Sequence, residues 1–307
     1  MPFESLRGKS IVVTGVTGQV AGPVAVALAR ENKVVGAARF KDGAARDRLE
    51  GAGVRCVPID LATGDVAALP SDADYVINFA VAKTNDWELD LQANSGGLAW
   101  LMEHHQGAEA FVHCSTTGVY KPLGHHVFAE GDELGDNHGV WPFLRTYSIC
   151  KIAAEGTARW AAQRFGLPTT IARLSVPYGD RGGWPAIHLE MMINGNDIPV
   201  HLDAPSVYHP IHEDDIVAMV PGLIGAARTP AVTVNWGGDQ AVSIEGWCGY
   251  LSELTGVPAR FVPTRDTIDS VQIDLTRMHD LVGATTVGWQ DGMRRMVAAR
   301  HPELLAD

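Results

Sequence analysis

The sequence has no apolar run that approaches the roughly 20 residues needed to cross a membrane as a helix. Its first ten residues hold no apolar secretion-signal segment, so we expect a cytoplasmic protein. Basic residues are also scarce, because 24 Lys and Arg face 36 Asp and Glu, for a formal charge of −12. Nucleic acids and anionic membrane surfaces favour a basic face, and we therefore expect neither as a partner.

Cysteine is rare, and the four cysteines are widely separated along the chain. Their spacing fits neither a zinc site nor a disulfide framework, which predicts reduced thiols inside the core. The four residues are Cys56, Cys114, Cys150 and Cys248.

Apolar residues, in contrast, make up 46% of the 307 positions. This content supports one large α/β domain, or a main domain with a smaller lobe. The 20% of charged residues is ordinary for a globular protein.

The most informative stretch is a β-branched run, Ile11 to Val13, that ends in a glycine turn and continues at helical spacing. Gly15 and Gly18 permit backbone angles that a Cβ would forbid, and they let phosphates approach the main chain. The helix that follows offers free N–H groups and a positive dipole end to a pyrophosphate. We interpret this stretch as a dinucleotide-binding turn, the alternative being an ordinary strand-to-helix turn.

Strands and helices then alternate as far as about residue 165. This rhythm predicts a doubly wound parallel sheet with helices on both faces and right-handed crossovers, the Rossmann arrangement. The predicted strands cover about 10–14, 34–39, 54–57, 73–78 and 110–114, and the predicted helices about 20–30, 42–50, 86–105 and 147–165.

The end of the second strand indicates which dinucleotide is bound. NAD-binding folds place an acid there against the ribose hydroxyls, whereas this chain has Ala38, Arg39 and then Lys41. An arginine pairs with a 2′-phosphate that a carboxylate would repel. We therefore favour NADP, with NAD possible; the alternative is that Arg39 is a solvated surface residue.

A tyrosine and a lysine four residues apart, Tyr147 and Lys151, share one helical face. The lysine charge favours the phenolate and should lower the tyrosine pKa, so Tyr147 is a candidate acid/base for a carbonyl or alcohol oxygen. A hydroxyl from the loop after the fifth strand, Ser115 to Thr117, would be a second donor to that oxygen.

The order of these features resembles the extended branch of the short-chain dehydrogenase/reductase superfamily, which includes sugar-nucleotide epimerases and dehydratases. The resemblance runs through nearly the whole length, with Ala21 standing where the branch usually has its third glycine. It rests on the segments 14–21, 60–61, 94–97, 115–120, 147–151, 173–179 and 211–216, together with Glu130.

By this resemblance Thr116, Tyr147 and Lys151 form the catalytic set, and Lys151 also holds the nicotinamide ribose. The branch suggests a homodimer through the helices that start near Asp86 and Tyr147. The expected cofactor-binding residues are Gly15, Thr17, Gly18, Gln19, Val20, Arg39, Asp60, Leu61, Phe79, Ala80, Val81, Asn94, Lys151, Pro177 and Tyr178.

After Pro177 the alternation weakens, as expected for a substrate lobe built from insertions. We assign residues 1–176 and about 206–240 to the dinucleotide-binding domain, and about 177–205 and 241–307 to the smaller, largely C-terminal substrate lobe. We expect no metal, although several histidines lie in this part of the chain. The expected substrate contacts are Thr117, Trp141, Trp184, His188 and Tyr208.

These expectations lead to an NADP-dependent oxidoreductase that transfers a hydride to or from a small carbonyl or secondary alcohol, with Tyr147 as the acid/base. The alternative is a nucleotide-sugar epimerase or dehydratase with tightly bound NAD. Tyr208 argues against it, because sugar-nucleotide members carry a diphosphate-binding arginine at that place. A non-catalytic cofactor sensor is a third interpretation, which the intact hydroxyl, tyrosine and lysine disfavour.

Overall fold

The apolar runs between the helices form one seven-stranded sheet in the computed structural model, which describes residues 6–305. All its strands are parallel, and their order is β13-β7-β5-β4-β1-β2-β3. The strands are β1 (Ser10–Thr14), β2 (Lys33–Ala38), β3 (Arg55–Pro58), β4 (Tyr75–Asn78), β5 (Ala110–Thr116), β7 (Thr169–Leu174) and β13 (Val232–Trp236). The order reverses between β1 and β4, which is where doubly wound folds bind ligands.

Helices cover both faces of this sheet, as the alternation predicts. They are α1 (Ala21–Ala29), α2 (Gly43–Gly51), α3 (Trp87–Leu91), α4 (Gly97–His104), α5 (Tyr147–Phe165) and α7 (Glu213–Gly225). The helix expected over 86–105 is continuous, but a π-helical turn, Gln92–Gly96, separates α3 from α4. The other predicted bounds agree within two residues.

The two faces of the sheet have separate cores, which the alternation of side chains along β1 illustrates. Ile11 and Val13 pack with α1 and α7, whereas Val12 packs with α4 and α5. Because both faces are covered, the centre of the strand, Ile11 to Val13, is continuously apolar.

The remaining elements form smaller sheets and helices beside the carboxyl edge of the main sheet. The chain leaves the main sheet after β7 and returns to it for β13. The remaining strands are β6 (Val127–Phe128), β8 (Pro177–Gly179), β9 (Gly182–Gly183), β10 (Ile198–His201), β11 (Val207–Tyr208), β12 (Ile211–His212), β14 (Val242–Ser243), β15 (Phe261–Thr264) and β16 (Gln272–Ile273). The remaining helices are α6 (Trp184–Ile193), α8 (Ile244–Thr255), α9 (Thr276–Leu281) and α10 (Trp289–Arg300).

Between residues 6 and 305, no helix is both long enough and apolar enough to cross a membrane. The expected domain ranges also include residues 1–5 and 306–307, which lie outside the described residues.

A buried ion pair joins α5 to the centre of the sheet. Arg173 on β7 donates from Nε and Nη2 to the two oxygens of Glu155, at 2.9 and 2.8 Å. Both side chains are essentially inaccessible to solvent. Ser115 on β5 donates to the same carboxylate at 2.7 Å, so three elements meet at one charge. Burial alone would raise the pKa of Glu155, but these partners hold it below its usual range.

Removing one partner of this pair should strongly destabilise the fold. Arg173→Met leaves the Glu155 charge buried without its main partner, and we expect it to lower the free energy of unfolding by about 3–5 kcal/mol. Urea denaturation followed by circular dichroism measures this change.

The matched control is Arg46→Met, which breaks an exposed pair with Glu50 on α2. It should lower the free energy of unfolding far less than Arg173→Met does, because water already solvates both charges. Equal losses in the two variants would contradict the importance assigned to the buried pair.

Candidate active site

The glycine turn after β1 is held in the shape that a phosphate-binding turn requires. Gly15 has a φ of +73°, its N–H donates to Ala37 O at 2.7 Å, and Gly18 N–H donates to Gly15 O at 2.8 Å. A Cβ on Gly15 would lie 2.9 Å from Ala80 N, so both the backbone angle and the neighbouring loop require glycine. Glycine at position 15 therefore allows this turn to pack closely against the loop after β4.

The N-terminus of α1 adjoins the glycine turn, and Val20 before it makes no side-chain cap. Gly22 N–H donates to Gly18 O at 3.1 Å, so the turn offers a pyrophosphate the N–H groups before Gly22 and the positive end of the helix dipole. Gln19 donates to Pro177 O at 3.2 Å and so links the turn to the segment after β7. Thr17 and Gly18 are exposed beside this opening. These residues fit a dinucleotide phosphate.

The loop after β4 is anchored by Asn94, which lies in the π-helical turn. Its amide donates to Ala82 O and Asp90 O at 2.8 and 2.7 Å, and its oxygen accepts from Ala82 N–H at 3.0 Å. Asn94 is buried, so its side chain holds the loop that presents Phe79, Ala80 and Val81. Direct contact of Asn94 with a cofactor is not what this geometry favours.

Cations surround the adenosine side of the turn. Arg39 is exposed at the end of β2 and has no ion-pair partner within residues 6–305. Arg48 and Arg181 line a small cavity beside Thr17. Arg181 lies against the first turn of α1, close to Gly22.

The expected adenine-side residues lie at the end of β3. Asp60 is exposed, and its carboxylate accepts from Ala62 N–H at 3.1 Å to begin a short 3₁₀ helix. Leu61 is half-buried and packs against Gly97 at the start of α4. Both residues therefore have a local structural role.

The three expected catalytic residues come together at the carboxyl edge of the sheet. Thr116 is the last residue of β5, Tyr147 is the first residue of α5, and Lys151 lies one turn later. Lys151 Nζ donates to Cys114 O at 2.8 Å. Burial lowers the pKa of Lys151 below its usual range.

The pKa of Tyr147 differs from the sequence-based expectation. Burial raises this pKa to about 12, against a smaller lowering by the hydrogen bond with Thr116. Lys151 does not lower it here, because the ammonium group is bonded to the β5 carbonyl instead of the phenol. The phenol of Tyr147 is therefore protonated at neutral pH.

The start of α5 is fixed by a residue that sequence reasoning missed. Asp90 is fully buried and accepts from Thr146 Oγ1 at 2.6 Å, from Thr84 N–H at 2.9 Å and from Asn85 N–H at 3.0 Å. These hydrogen bonds hold the pKa of Asp90 below its usual range despite burial. No sequence signal singled out Asp90 from its acidic neighbours Asp86 and Glu88, because its partner Thr146 comes from a loop 56 residues further along the chain.

His138 is a second missed residue, and it lies beside the catalytic set. Its ring is 5.0 Å from the Tyr147 ring in an edge-on arrangement and 6.0 Å from the Trp141 ring. Burial lowers the pKa of His138 to about 4. The sequence offered one signal: Gly118, two residues after Thr116, leaves space that another side chain must fill.

The expected substrate residues divide into two groups. Thr117 is buried beside Thr116, and Trp141 and Trp184 are half-buried with ring centroids 6.0 Å apart. His188 and Tyr208, in contrast, lie in the core of the smaller lobe and are each only 2% exposed.

The bonding of the buried group explains this difference. His188 Nδ1 accepts from Trp247 Nε1 at 2.9 Å, and the Tyr208 hydroxyl donates to Asp269 O at 2.9 Å. Tyr208 therefore supports the lobe, and its expected direct contact with substrate is corrected here. Tyr178 is likewise buried, and its hydroxyl donates to Trp289 O at 3.3 Å.

No group of three or more His, Cys, Asp and Glu side chains within residues 6–305 is arranged to hold a metal ion. His209 Nδ1 lies 2.8 Å from Gly238 O, and His212 caps α7 by accepting from Asp214 N–H. These histidines have structural partners.

A glycine turn on a doubly wound sheet, facing a threonine, tyrosine and lysine set, defines a dinucleotide-dependent enzyme of the extended short-chain dehydrogenase/reductase type. The model of the NAD dependent epimerase/dehydratase family matches residues 11–219. The chain belongs to this family.

One curated relative shares detectable sequence similarity. The dTDP-glucose 4,6-dehydratase of an Actinoplanes species is 27% identical over 206 residues, which are 64% of this chain and 61% of that protein. The chain thus matches less than two thirds of the relative's length.

Solved structures share the fold at lower identity. A UDP-glucuronic acid 4-epimerase from Bacillus cereus, bound to UDP-glucuronic acid and NAD, is 20% identical with a TM-score of 0.80, covering 94% of this chain and 98% of that chain. The epimerase Mth375 from Methanothermobacter thermautotrophicus is 21% identical with a TM-score of 0.82, covering 97% and 93%. Such identities establish the fold alone.

The crowding at Gly15 predicts a selective loss of cofactor binding. Gly15→Ala adds a Cβ that pushes on the loop after β4. We expect dinucleotide affinity to fall by about tenfold or more, because that loop borders the phosphate turn. Fluorescence titration with NAD and NADP measures it.

Gly166→Ala separates backbone strain from crowding. Gly166 also has a positive φ, +67°, but a Cβ there would meet nothing within 4 Å. It should lower the free energy of unfolding by about 1–2 kcal/mol and leave dinucleotide binding intact. Equal binding losses in both variants would rule out the role of the Ala80 contact.

Proposed function

We propose that the protein is a nicotinamide-dependent enzyme that oxidises and reduces a hydroxyl-bearing carbon of a nucleotide sugar, as an epimerase does. The observation that carries this proposal is the convergence of Thr116, Tyr147 and Lys151 opposite the glycine turn, in a chain of the epimerase/dehydratase family. The sequence similarity to a dTDP-glucose enzyme supports the substrate class.

Each residue has a distinct part in the proposed reaction. A bound nicotinamide dinucleotide supplies the hydride acceptor and donor. Tyr147 exchanges a proton with the substrate oxygen, and Thr116 donates a hydrogen bond to the same oxygen. Lys151 places a positive charge beneath the site, which favours the phenolate once the ammonium group turns from Cys114 O.

Epimerisation is favoured over dehydration by the residues after Thr116. Eliminating a hydroxyl requires a further acid and base near the sugar, whereas Thr117 and Gly118 follow here. His138 packs on Gly118, and its pKa of about 4 keeps it neutral and makes it a poor proton donor at neutral pH. An epimerase needs no such group beyond Tyr147.

A second candidate is an NADP-dependent reductase of a small carbonyl compound. Arg39 has no ion-pair partner among the described residues and directly follows β2, where it suits a 2′-phosphate. Tyr208 also stands at the place where sugar-nucleotide members of the extended branch carry a diphosphate-binding arginine, and these two observations keep the second candidate in competition.

Calorimetry with UDP and dTDP on the dinucleotide-loaded enzyme distinguishes the two functions. The epimerase proposal expects micromolar binding of at least one nucleotide, followed by interconversion of the matching sugar. Binding weaker than millimolar, together with reduction of ketones by NADPH, would replace it by the second candidate.

Arg39→Ala tests which dinucleotide is the cofactor in this experiment. If NADP is the cofactor, this variant should weaken NADPH binding by about 1.5–3 kcal/mol and leave NADH unaffected, because one charge-assisted hydrogen bond is lost. If NAD is the cofactor, neither affinity should change by that amount.

The assignment of Tyr147 is tested by Tyr147→Phe. This change removes the exchangeable proton and keeps the ring that packs on His138. Turnover should fall by about 10²-fold or more, with dinucleotide affinity retained. Near-normal turnover of the true substrate would contradict the assignment.

We also propose a homodimer formed through α3, α4 and α5. Trp87 on α3 and Trp160 on α5 are 48% and 57% exposed, and Ile149 lies on the same face of α5 as Trp160. These apolar side chains suit burial against a second copy of the chain.

Light scattering on Trp160→Glu tests this interface. The variant should be monomeric, because a buried, unpaired charge opposes association. Ile187→Glu, at an equally exposed position on α6, should stay dimeric. A monomeric wild-type protein would exclude the proposed assembly.

A further inference from the structure

The loop before α5 places one histidine directly against the catalytic residues. His138 is only 6% exposed, and a Cβ on Gly118 would lie 2.4 Å from its Cε1 atom. The absence of a side chain at Gly118 is therefore what admits the imidazole. The imidazole ring therefore packs on Gly118, two residues after Thr116, and its centroid lies 5.0 Å from that of the Tyr147 ring.

The hydrogen bonds of Ser148 determine which nitrogen of His138 carries the proton. Ser148 Oγ donates its one hydrogen to Gly118 O at 2.6 Å. The same oxygen lies 2.9 Å from His138 Nδ1 and therefore must accept there. The backbone N–H of His138 also donates to Ser148 Oγ, at 3.3 Å. His138 is thus fixed with the proton on Nδ1.

The other nitrogen is left as an acceptor. A neutral imidazole with its proton on Nδ1 carries a lone pair on Nε2. Burial keeps the ring neutral at pH 7, because it lowers the pKa to about 4. His138 Nε2 makes no hydrogen bond within residues 6–305. It is also not among the described side-chain nitrogens that are both fully buried and without a partner. It is an uncharged acceptor beside Tyr147.

We propose that His138 Nε2 accepts a hydrogen bond from a substrate hydroxyl on the carbon next to the one that reacts at Tyr147. This inference rests on the proposed oxidoreductase chemistry of Tyr147 and specifies its substrate as a vicinal hydroxyl compound. His138 is a specificity-determining residue in this assignment, because a neutral acceptor rewards a hydroxyl and offers nothing to a methylene. Sugars and α-hydroxy ketones meet this requirement.

Two substitutions of His138 distinguish a role as hydrogen-bond acceptor from a purely structural role. In His138→Asn, the amide nitrogen reaches the place of Nδ1 and keeps the bond to Ser148, but no acceptor stands at Nε2. In His138→Gln, the longer side chain brings an amide oxygen to the place of Nε2. His125→Asn, at an exposed histidine, is the control for the substitution itself.

Turnover of paired substrates measures the preference. The pairs are dTDP-glucose with dTDP-3-deoxyglucose, and 3-hydroxy-2-butanone with 2-butanone, so that each candidate function has its own probe. Wild type should favour the hydroxylated member by about tenfold or more in kcat/KM, the value of one hydrogen bond to a desolvated acceptor. His138→Asn should lose this preference, and His138→Gln should retain part of it.

The pattern of loss distinguishes a specificity role from a structural one. In a double-mutant cycle, the loss in His138→Asn should be about tenfold larger for the hydroxylated member than for its deoxy partner. Equal losses for both members would overturn the inference and leave the proposed function standing. A preference that survives His138→Asn would overturn it as well.

Nitrogen-15 spectra of the histidine side chains give a readout independent of turnover. They should show His138 neutral, with the proton on Nδ1, and the Nε2 resonance should shift when 3-hydroxy-2-butanone or dTDP-glucose is added to dinucleotide-loaded Tyr147→Phe protein. A shift without turnover in wild type would support the inference and reject the proposed function. A proton on Nε2, or no shift with either ligand, would overturn it.

Discussion

The buried ion pair between Arg173 and Glu155 sets the relative positions of the elements that carry the reactive groups. Glu155 lies one turn after Lys151 on α5, and Ser115, which precedes Thr116 on β5, donates to it. One carboxylate thus joins the strand of the hydroxyl to the helix of the tyrosine and lysine. Because an unpaired charge at this depth is costly, loss of the ion pair would disturb the fold and the geometry of the site together.

Most of the polar atoms near this junction are used for structure. The Lys151 ammonium group donates to a β5 carbonyl, and the carboxylate of Asp90 accepts hydrogen bonds from the loops before α3 and α5. The groups near this junction that we assign to a ligand are the Thr116 hydroxyl, the Tyr147 phenol, the lone pair of His138 and the backbone of the glycine turn. Specificity therefore depends on a small number of atoms with fixed orientation.

The sequence predicted the elements whose determinants are local. The glycine turn after β1 and the α5 pair of Tyr147 and Lys151 were found because spacing alone defines them. It did not predict that Tyr208 is buried or that Lys151 bonds to Cys114 O, since burial depends on which distant segments pack together. The sequence could not predict the tautomer of His138 either, because it depends on the orientation of the Ser148 hydroxyl hydrogen.

The π-helical turn of Gln92–Gly96 has a consequence for how this chain tolerates length changes. A π turn holds one residue more than an α-helical turn, at a cost in helix stability. Deleting one residue there would restore regular α-helical hydrogen bonding, and α4 would keep the rotational phase that places Leu98, Leu101 and Met102 in their core. The change would instead fall on the turn itself, where Asn94 holds the loop after β4. Helix regularity and loop anchoring by Asn94 thus oppose each other, and the chain retains the irregular turn.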